Sequence, residues 1–148
     1  MNFFDDLKNK KILVVGASQG IGKELCMNLD ICGSDIYSLS RNETKLRELT
    51  SQIKSKSIIC DINDEKQVQE AVEKIEPLDG VCFVSGIVKL IPPKLLMRKT
   101  VEPQILTNLI SPICFLGELL KKEKIKDSAS IIFTSASGRL NHSPCTVS

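Results

Sequence analysis

The feature that most constrains this chain is a glycine-rich loop placed between an apolar stretch and an amphipathic one. Residues 12–15 are all apolar, and the loop that follows them is Gly16-Ala17-Ser18-Gln19-Gly20-Ile21-Gly22. Glycine permits a sharp turn and a positive φ, and it lets the main chain approach a ligand closely. The free N–H groups and the dipole at the start of the following helix favour negative charge, so the arrangement is typical of a phosphate-binding loop. The same glycines also suit any tight turn from a strand to a helix.

Strand-like and helical stretches alternate along the whole sequence. The predicted strands cover residues 11–15, 35–40, 57–60, 80–85 and 130–134. The predicted helices cover residues 21–31, 43–54, 65–75 and 96–124, and Pro112 is expected to bend the last one. Strands that alternate with helices in this way form a parallel sheet with helices on both faces. We therefore predict an α/β fold, with one doubly wound domain of about five strands over residues 1–148.

Composition and charge exclude several classes of partner. The 148 residues are 42% hydrophobic, and a net charge of +2 gives no electrostatic reason to expect nucleic-acid binding. Uninterrupted apolar runs are only strand-sized, so no membrane association is expected. Because Asp5 and Asp6 stand where a signal peptide carries basic residues, we expect a cytoplasmic protein. None of the six cysteines belongs to a Cys-x-x-Cys pair, and no metal site is expected.

Ser40 and Arg41 stand at the carboxyl end of the second predicted strand. Many folds that bind NAD place an acid here, which accepts a hydrogen bond from the ribose 2′-hydroxyl. A neutral serine and a cationic arginine favour a 2′-phosphate instead, because a guanidinium pairs with phosphate oxygens through two hydrogen bonds. The pair therefore indicates NADP, with NAD the less favoured cofactor. The alternative is a solvated surface arginine.

Asp61 ends the third predicted strand and is followed by Ile62. A carboxylate at this point can accept a hydrogen bond from the adenine amino group, so we assign Asp61 and Ile62 to the cofactor. Asp61 can equally cap the following helix, alone or together with Asn63 and Asp64.

Four further residues carry candidate roles. Ser85 and Gly86 end the fourth predicted strand, where a glycine lets the chain pass close to a bound nucleotide, although a simple strand-to-loop glycine fits as well. Asn108 lies inside the long helix, where asparagine is unfavourable unless it faces solvent or holds something in place. Ser135 follows the fifth strand, so its hydroxyl is expected in the crevice where parallel sheets bind ligands, or in an ordinary turn.

Together these residues resemble the short-chain dehydrogenase/reductase family from residue 11 to residue 148. The glycines Gly16, Gly20 and Gly22 match its Gly-x-x-x-Gly-x-Gly motif, Asp61 its adenine-contacting acid, and Asn108 and Ser135 its helix asparagine and strand-end serine. The chain has Phe83-Val84-Ser85-Gly86 where the family often has Asn-Asn-Ala-Gly, so only the glycine and a small residue before it match. The resemblance implies a Rossmann-like sheet in the order 3-2-1-4-5.

The resemblance also implies a function. It predicts NADP-dependent hydride transfer between nicotinamide and a ketone or secondary alcohol, for example a 3-oxoacyl thioester. In that chemistry Ser135 would polarise the carbonyl and Asn108 would hold a water in the proton path, as catalytic residues. The resemblance further implies a homo-oligomer that forms through the long helix over residues 100–124.

The family's Tyr-x-x-x-Lys motif is expected about thirteen residues after Ser135, a position beyond Ser148. The single tyrosine, Tyr37, lies in the second predicted strand and does not match that motif. We therefore expect the 148 residues to form the N-terminal, cofactor-binding portion of a reductase and to be inactive on their own. The alternative is a non-catalytic module that binds or senses a dinucleotide.

Overall fold

The computed structural model describes residues 5–135, which form one five-stranded parallel sheet with helices around it. The strands are β1 (Lys11–Val15), β2 (Asp35–Ser40), β3 (Ser55–Ile59), β4 (Leu78–Phe83) and β5 (Ile125–Phe133). The helices are α1 (Gly20–Ile31), α2 (Glu43–Thr50), α3 (Glu65–Glu73), α4 (Arg98–Ile105) and α5 (Ser111–Lys121). The strand order is β3-β2-β1-β4-β5, which confirms the predicted fold.

The strands β1, β2 and β4 are buried on both faces, and β1 is apolar at every position after Lys11. In β1, Leu13 and Val15 pack with α3 and α5, whereas Ile12 and Val14 pack with α1 and α2. Side chains alternate between the two faces of a strand, so a continuous apolar run serves two cores at once. This burial explains why β1 has no polar residue between Lys11 and the glycine loop.

The long helix predicted for residues 96–124 is divided into three parts. A π-helical turn, Leu106–Ile110, joins α4 to α5, and Pro112 lies at the start of α5. Proline lacks an N–H and clashes with the carbonyl four residues earlier, which here belongs to Asn108, so the α-helical bonding cannot continue through this turn. A π turn accommodates the interruption without ending the helix.

Several boundaries differ from the prediction; β4, for example, covers Leu78–Phe83 and not residues 80–85, and α3 ends at Glu73. The second helix ends at Thr50 and not at Lys54, and β3 begins two residues before its predicted start. β5 begins at Ile125, five residues early, and its pairing with β4 is irregular between Leu78 and Gly80. The polar residues 126–130 carry no apolar signal, and only pairing with β4 makes them part of the strand.

The run from Arg98 to Lys121 spans 24 residues and is the one helix in the described chain that is long and apolar enough to cross a membrane. Only 22% of its most apolar stretch is buried. The helix qualifies by length and composition only, whereas the strand-sized apolar runs of the sequence had indicated no such segment. Uninterrupted apolar runs underestimate the hydrophobic length of this helix, because polar but uncharged residues divide the runs while charged residues lie only near the helix ends.

The amino ends of the strands carry an ion-pair network. The hydroxyl of Tyr37 donates to Glu76 at 3.0 Å, and Lys56 donates to both groups, at 3.3 Å to Tyr37 and 3.0 Å to Glu76. Lys11 also pairs with Glu76. These hydrogen bonds from Lys11, Lys56 and Tyr37 lower the pKa of Glu76 to about 2. Tyr37 is therefore held at the edge of the sheet opposite to the glycine loop.

Candidate functional site

A cleft of about 330 Å³ lies at the carboxyl ends of β1 to β4, where parallel sheets characteristically bind ligands. Its walls are the glycine loop and the segments that follow β2, β3 and β4. All the predicted cofactor-binding residues except one line it: Gly16, Ser18, Gln19, Gly20, Ile21, Ser40, Arg41, Asp61, Ile62, Ser85 and Gly86. The exception is Gly22, which is buried in α1. The fold thus brings these residues together, and their binding of a nucleotide stays a prediction.

The three motif glycines do different work. At Gly16 a Cβ atom would meet the backbone N of Ser85 at 2.6 Å, and at Gly22 it would meet the carbonyl oxygen of Gly16 at 2.1 Å. Both positions exclude any side chain because protein backbone already fills the space. Gly20 has φ +54°, and a Cβ there would meet nothing within 4 Å. Of the three, only Gly20 leaves open space where its own side chain would be, as a phosphate cradle requires.

The amides of the glycine loop divide into two groups. Those of Gly16 and Ala17 donate to the carbonyl oxygen of Leu39, at 2.9 and 3.1 Å, and these bonds fix the loop to β2. The first amides of α1 donate no hydrogen bond to the side chain of its N-cap residue, Gln19, and its first turn carries no acid. Uncapped N–H groups at a helix start are the donors and the positive dipole end that an anion needs.

A small polar cluster connects the glycine loop to the end of β2. Ser40 is buried and donates its hydroxyl hydrogen to Oγ of Ser18 at 2.8 Å. Arg41, the next residue, is exposed at the rim of the cleft. Lys45, in the first turn of α2, donates to Oε1 of Gln19 at 2.5 Å. Sequence reasoning missed Lys45 as a second cation beside the cleft, although its position four residues after Arg41 was a usable signal.

The alternatives for Asp61 are resolved by the capping bonds of α3. Asp64 is the N-cap, and its carboxylate accepts from the amides of Lys66 and Gln67 at 3.0 and 3.1 Å, which lowers the pKa of Asp64. Asp61 instead accepts from the amide of Asn63 at 3.0 Å and lines the cleft. Asp61 is thus not the helix cap, and its carboxylate belongs to the cleft wall.

Asn108 holds the loop that follows β4. Its Oδ1 accepts from the amide of Ile87 at 2.8 Å, and its Nδ2 donates to the carbonyl oxygen of Ile87 at 2.7 Å. The side-chain amide therefore pairs with the main chain as a neighbouring strand would. A Cβ on Gly86 would approach Oδ1 of Asn108 to 3.4 Å, so Gly86 leaves room for this pair. Of the two explanations for an asparagine inside a helix, the second applies, because Asn108 holds the main chain of Ile87 in place.

Ser85 is half-buried, and its buried Oγ atom has no hydrogen-bond partner in the described part of the chain. It lines the cleft beside Gly16. An unsatisfied buried hydroxyl is costly, so this atom calls for a polar group from a ligand or a water. The open space at Gly20 and the unsatisfied Ser85 hydroxyl both fit the phosphates and hydroxyls of a dinucleotide.

Ser135 lies close to this end of the sheet but does not line the cleft. Phe83 of β4 is paired with Phe133 of β5, so Ser85 and Ser135 both stand two residues beyond that pair. Ser135 is exposed. Its neighbour Thr134 donates both its amide and its hydroxyl to the carbonyl oxygen of Phe83, at 3.0 and 3.1 Å, which holds the strand end beside β4.

Cys60 also lines the cleft, but its thiol is not a reactive nucleophile. Burial, followed by the negative charges of Asp61 and Asp64, raises the pKa of Cys60 to about 12. The thiol is therefore neutral at physiological pH and acts as a small apolar side chain. Within residues 5–135, no group of three or more histidine, cysteine or acidic side chains is placed to hold a metal ion.

Several proteins with similar sequences carry the names of reductases or oxidoreductases. The chain is 29% identical over 154 residues to an uncharacterised oxidoreductase of Escherichia coli, YciK, with 93% of this chain and 61% of that protein covered. It is 36% identical over 88 residues to L-xylulose reductase of Caenorhabditis elegans, which covers 55% of this chain and 35% of that protein. A 3-oxoacyl-[acyl-carrier-protein] reductase of Rickettsia bellii is 33% identical over 86 residues, which are 57% of this chain and 36% of that protein.

Solved structures show the same likeness. A short-chain dehydrogenase from Escherichia coli CFT073 superposes with a TM-score of 0.84 at 28% identity, covering 96% of this chain and 68% of that one. The chain spans about three fifths or less of the length of the curated relatives named above. The family model for short chain dehydrogenases matches residues 10–148. This protein is therefore a member of the short-chain dehydrogenase/reductase family.

Proposed function

We propose that the cleft binds NADP(H) and that the chain is the cofactor-binding portion of an NADP-dependent reductase. The observation that carries the proposal is the joining of two features in one cleft. The glycine loop offers open space at Gly20 and uncapped helix amides, and the segment after β2 offers Arg41 with Lys45 nearby. The first feature suits a diphosphate, and the second suits an additional phosphate on the adenosine ribose.

Each wall of the cleft has a part in this proposal. The start of α1 holds the diphosphate, and Arg41 and Lys45 attract the 2′-phosphate. Asp61 accepts a hydrogen bond from the adenine amino group, with Ile62 beside it, and the Ser85 hydroxyl finds a partner on the ligand. The nicotinamide would supply the hydride for a carbonyl carbon. Ser135 would donate a hydrogen bond to the carbonyl oxygen, while Asn108 keeps Ile87 in place.

The substrate class in this proposal is a ketone or secondary alcohol on a small molecule. Two of the relatives are named for carbonyl reductions, one of L-xylulose and one of a 3-oxoacyl chain on a carrier protein. We extend only the shared reaction type to the whole protein, and we place it in the cytoplasm. Copies of the chain are proposed to associate through the exposed apolar side chains of the long helix, among them Leu109 and Ile113.

The test of cofactor choice is a fluorescence titration of the chain with NADPH and with NADH. A charge-assisted hydrogen bond contributes about 1.5–3 kcal/mol, so we expect NADPH to bind about 10- to 100-fold more tightly than NADH. Arg41→Asp should abolish or reverse this preference, because a carboxylate repels the 2′-phosphate. Arg47→Asp is the matched control, since Arg47 is exposed on α2 and pairs with Glu43. Equal affinities in the unmutated chain would contradict the assignment.

A second candidate function is a dinucleotide-binding module without catalysis. It is favoured by the position of Tyr37, the only tyrosine in the sequence, whose hydroxyl is bonded to Glu76 at the opposite edge of the sheet. Both candidates predict binding of NADP(H). Only the reductase predicts that a longer chain, extended beyond Ser148, oxidises NADPH in the presence of a ketone.

A further inference from the structure

We infer that Asn63 is a positioning residue that joins two walls of the cleft, the segments that follow β3 and β4, through the helix turn Leu106–Ile110. The inference rests on the proposed function only for its effect on cofactor affinity. We use the name Asn63 clasp for the hydrogen-bonded group of Asn63, Thr107 and Ser111. Asn63 belongs to the wall that follows β3, and the other two residues belong to the helix.

The clasp is built from two short hydrogen bonds to one side chain. The Nδ2 group of Asn63 donates to Oγ1 of Thr107 at 3.0 Å, and the hydroxyl of Ser111 donates to Oδ1 of Asn63 at 2.7 Å. Ser111 is only 4% exposed and does not line the cleft, whereas Asn63 and Thr107 do. A buried hydroxyl outside the cleft thus supports a side chain that forms its wall.

The opposite wall is held by the very next residue of the helix. Asn108 follows Thr107 and forms two hydrogen bonds with the main chain of Ile87, in the segment after β4. Both residues lie in the π-helical turn. Consecutive residues of one turn therefore bind the segment after β3 and the segment after β4. Because the two segments share this attachment, a loss of order on one side is transmitted to the other.

The same attachment explains how Asn63 acts on the ligand side. The amide of Asn63 donates to the carboxylate of Asp61, the proposed partner of adenine. Fixing the Asn63 side chain against the helix therefore also fixes the carboxylate. A cleft whose walls are ordered before binding loses less conformational entropy when the ligand enters, so the clasp should strengthen binding.

The first test measures the dissociation constant of NADPH for four proteins: the unmutated chain, Asn63→Ala, Ser111→Ala and the double variant. Each hydrogen bond of this type changes an equilibrium by about fivefold, so Ser111→Ala, which loses one bond, should bind NADPH about fivefold more weakly, and Asn63→Ala, which loses both, up to about 25-fold more weakly. The double variant should bind no more weakly than Asn63→Ala, because removing Asn63 already breaks both bonds. Asn28→Ala is the control, since the side chain of Asn28 donates within its own helix, to the carbonyl oxygen of Glu24. An unchanged affinity in Ser111→Ala, or effects that multiply in the double variant, would overturn the inference.

The second test needs no nucleotide and so separates this inference from the proposed function. Hydrogen exchange of the Ile87 amide, which donates to Asn108, is measured by NMR in the unmutated chain and in Asn63→Ala. We expect exchange at Ile87 to be about fivefold faster in the variant, while Leu13 in the buried β1 strand keeps its rate. If the unmutated chain binds neither NADPH nor NADH, the proposed function fails and this measurement still decides the role of Asn63. Unchanged exchange at Ile87, or an equal acceleration at Leu13, would show that Asn63 does not couple the two walls.

Discussion

Alanine substitution at two of the motif glycines should separate packing from ligand binding. In Gly22→Ala the new methyl group would lie 2.1 Å from the carbonyl oxygen of Gly16, and a backbone atom has little freedom to move away. Overpacking of this kind costs about 1–3 kcal/mol, and we expect the upper end of that range. A change of 1 kcal/mol shifts the melting temperature of a chain of this size by about 2–4 °C. Gly22→Ala should therefore melt about 6–12 °C lower.

Gly20→Ala should behave differently because its methyl group would enter open space. The cost to folding is only that of an alanine at φ +54°, about 1–2 kcal/mol, which corresponds to a melting temperature about 2–8 °C lower. The methyl group would nevertheless stand between the helix amides and a phosphate. Loss of one charge-assisted hydrogen bond weakens NADPH binding by about 10- to 100-fold.

The assay combines thermal unfolding, followed by circular dichroism, with NADPH fluorescence titration well below each melting temperature. Gly117→Ala is the control, because Gly117 lies within α5 with no atom near its Cβ position. It should stabilise the chain by about 0.5–1 kcal/mol and leave binding unchanged. Undiminished affinity in a folded Gly20→Ala variant would refute the phosphate cradle. An unchanged melting temperature in Gly22→Ala would refute the packing argument.

Three further predictions concern stability, catalysis and association. The pKa of Glu76 is lowered to about 2 in the folded chain, so the stabilising effect of its charge is present above pH 4.5 and is lost as the pH falls towards 2. The free energy of urea unfolding should therefore depend less on pH in Glu76→Gln than in the unmutated chain across that range. The 148-residue chain should not oxidise NADPH with ketones at a useful rate, because no residue in it matches the family's catalytic tyrosine, and general acid catalysis alone accelerates a reaction by about 10²- to 10⁴-fold. Steady turnover in a spectrophotometric assay would contradict this. The chain should self-associate through the apolar surface of the long helix, which light scattering measures, and the double variant Leu109→Lys with Ile113→Lys should be more monomeric. A monodisperse monomer of the unmutated chain at high concentration would show that this surface is not an interface.

Most of the fold could be predicted because its signals are local. Alternating apolar and amphipathic stretches identify the strands and helices, and the glycine loop after β1 marks the first crossover. The predicted ends of strands and helices were wrong where contacts with other elements of the fold determine them. Residues 126–130 are polar and join β5 only by pairing with β4, and the break in the long helix takes the form of a π turn because Pro112 removes one α-helical bond.

The candidate site could be predicted only in part. Most of the cleft-lining residues were identifiable because they follow a strand, and parallel strands end at the same edge of the sheet. Lys45 was missed although it lies four residues after Arg41. Asn63 and Thr107 were missed because nothing in their local sequence distinguishes them from solvated helix and loop residues. Their roles depend on partners far along the chain: the bond from Asn63 to Thr107 joins residues 44 positions apart.

The sequence by itself therefore determined the order of elements, the family and the type of loop at the end of β1, since these depend on residue types at fixed spacing. The tertiary structure decided what each residue does within that pattern. It alone shows that Gly16 and Gly22 are needed for backbone packing while Gly20 is open to a ligand, and that Asp64 caps α3 while Asp61 lines the cleft. The physical reason is that hydrogen bonds and steric exclusion act between atoms brought together by folding, and local sequence does not encode those distances.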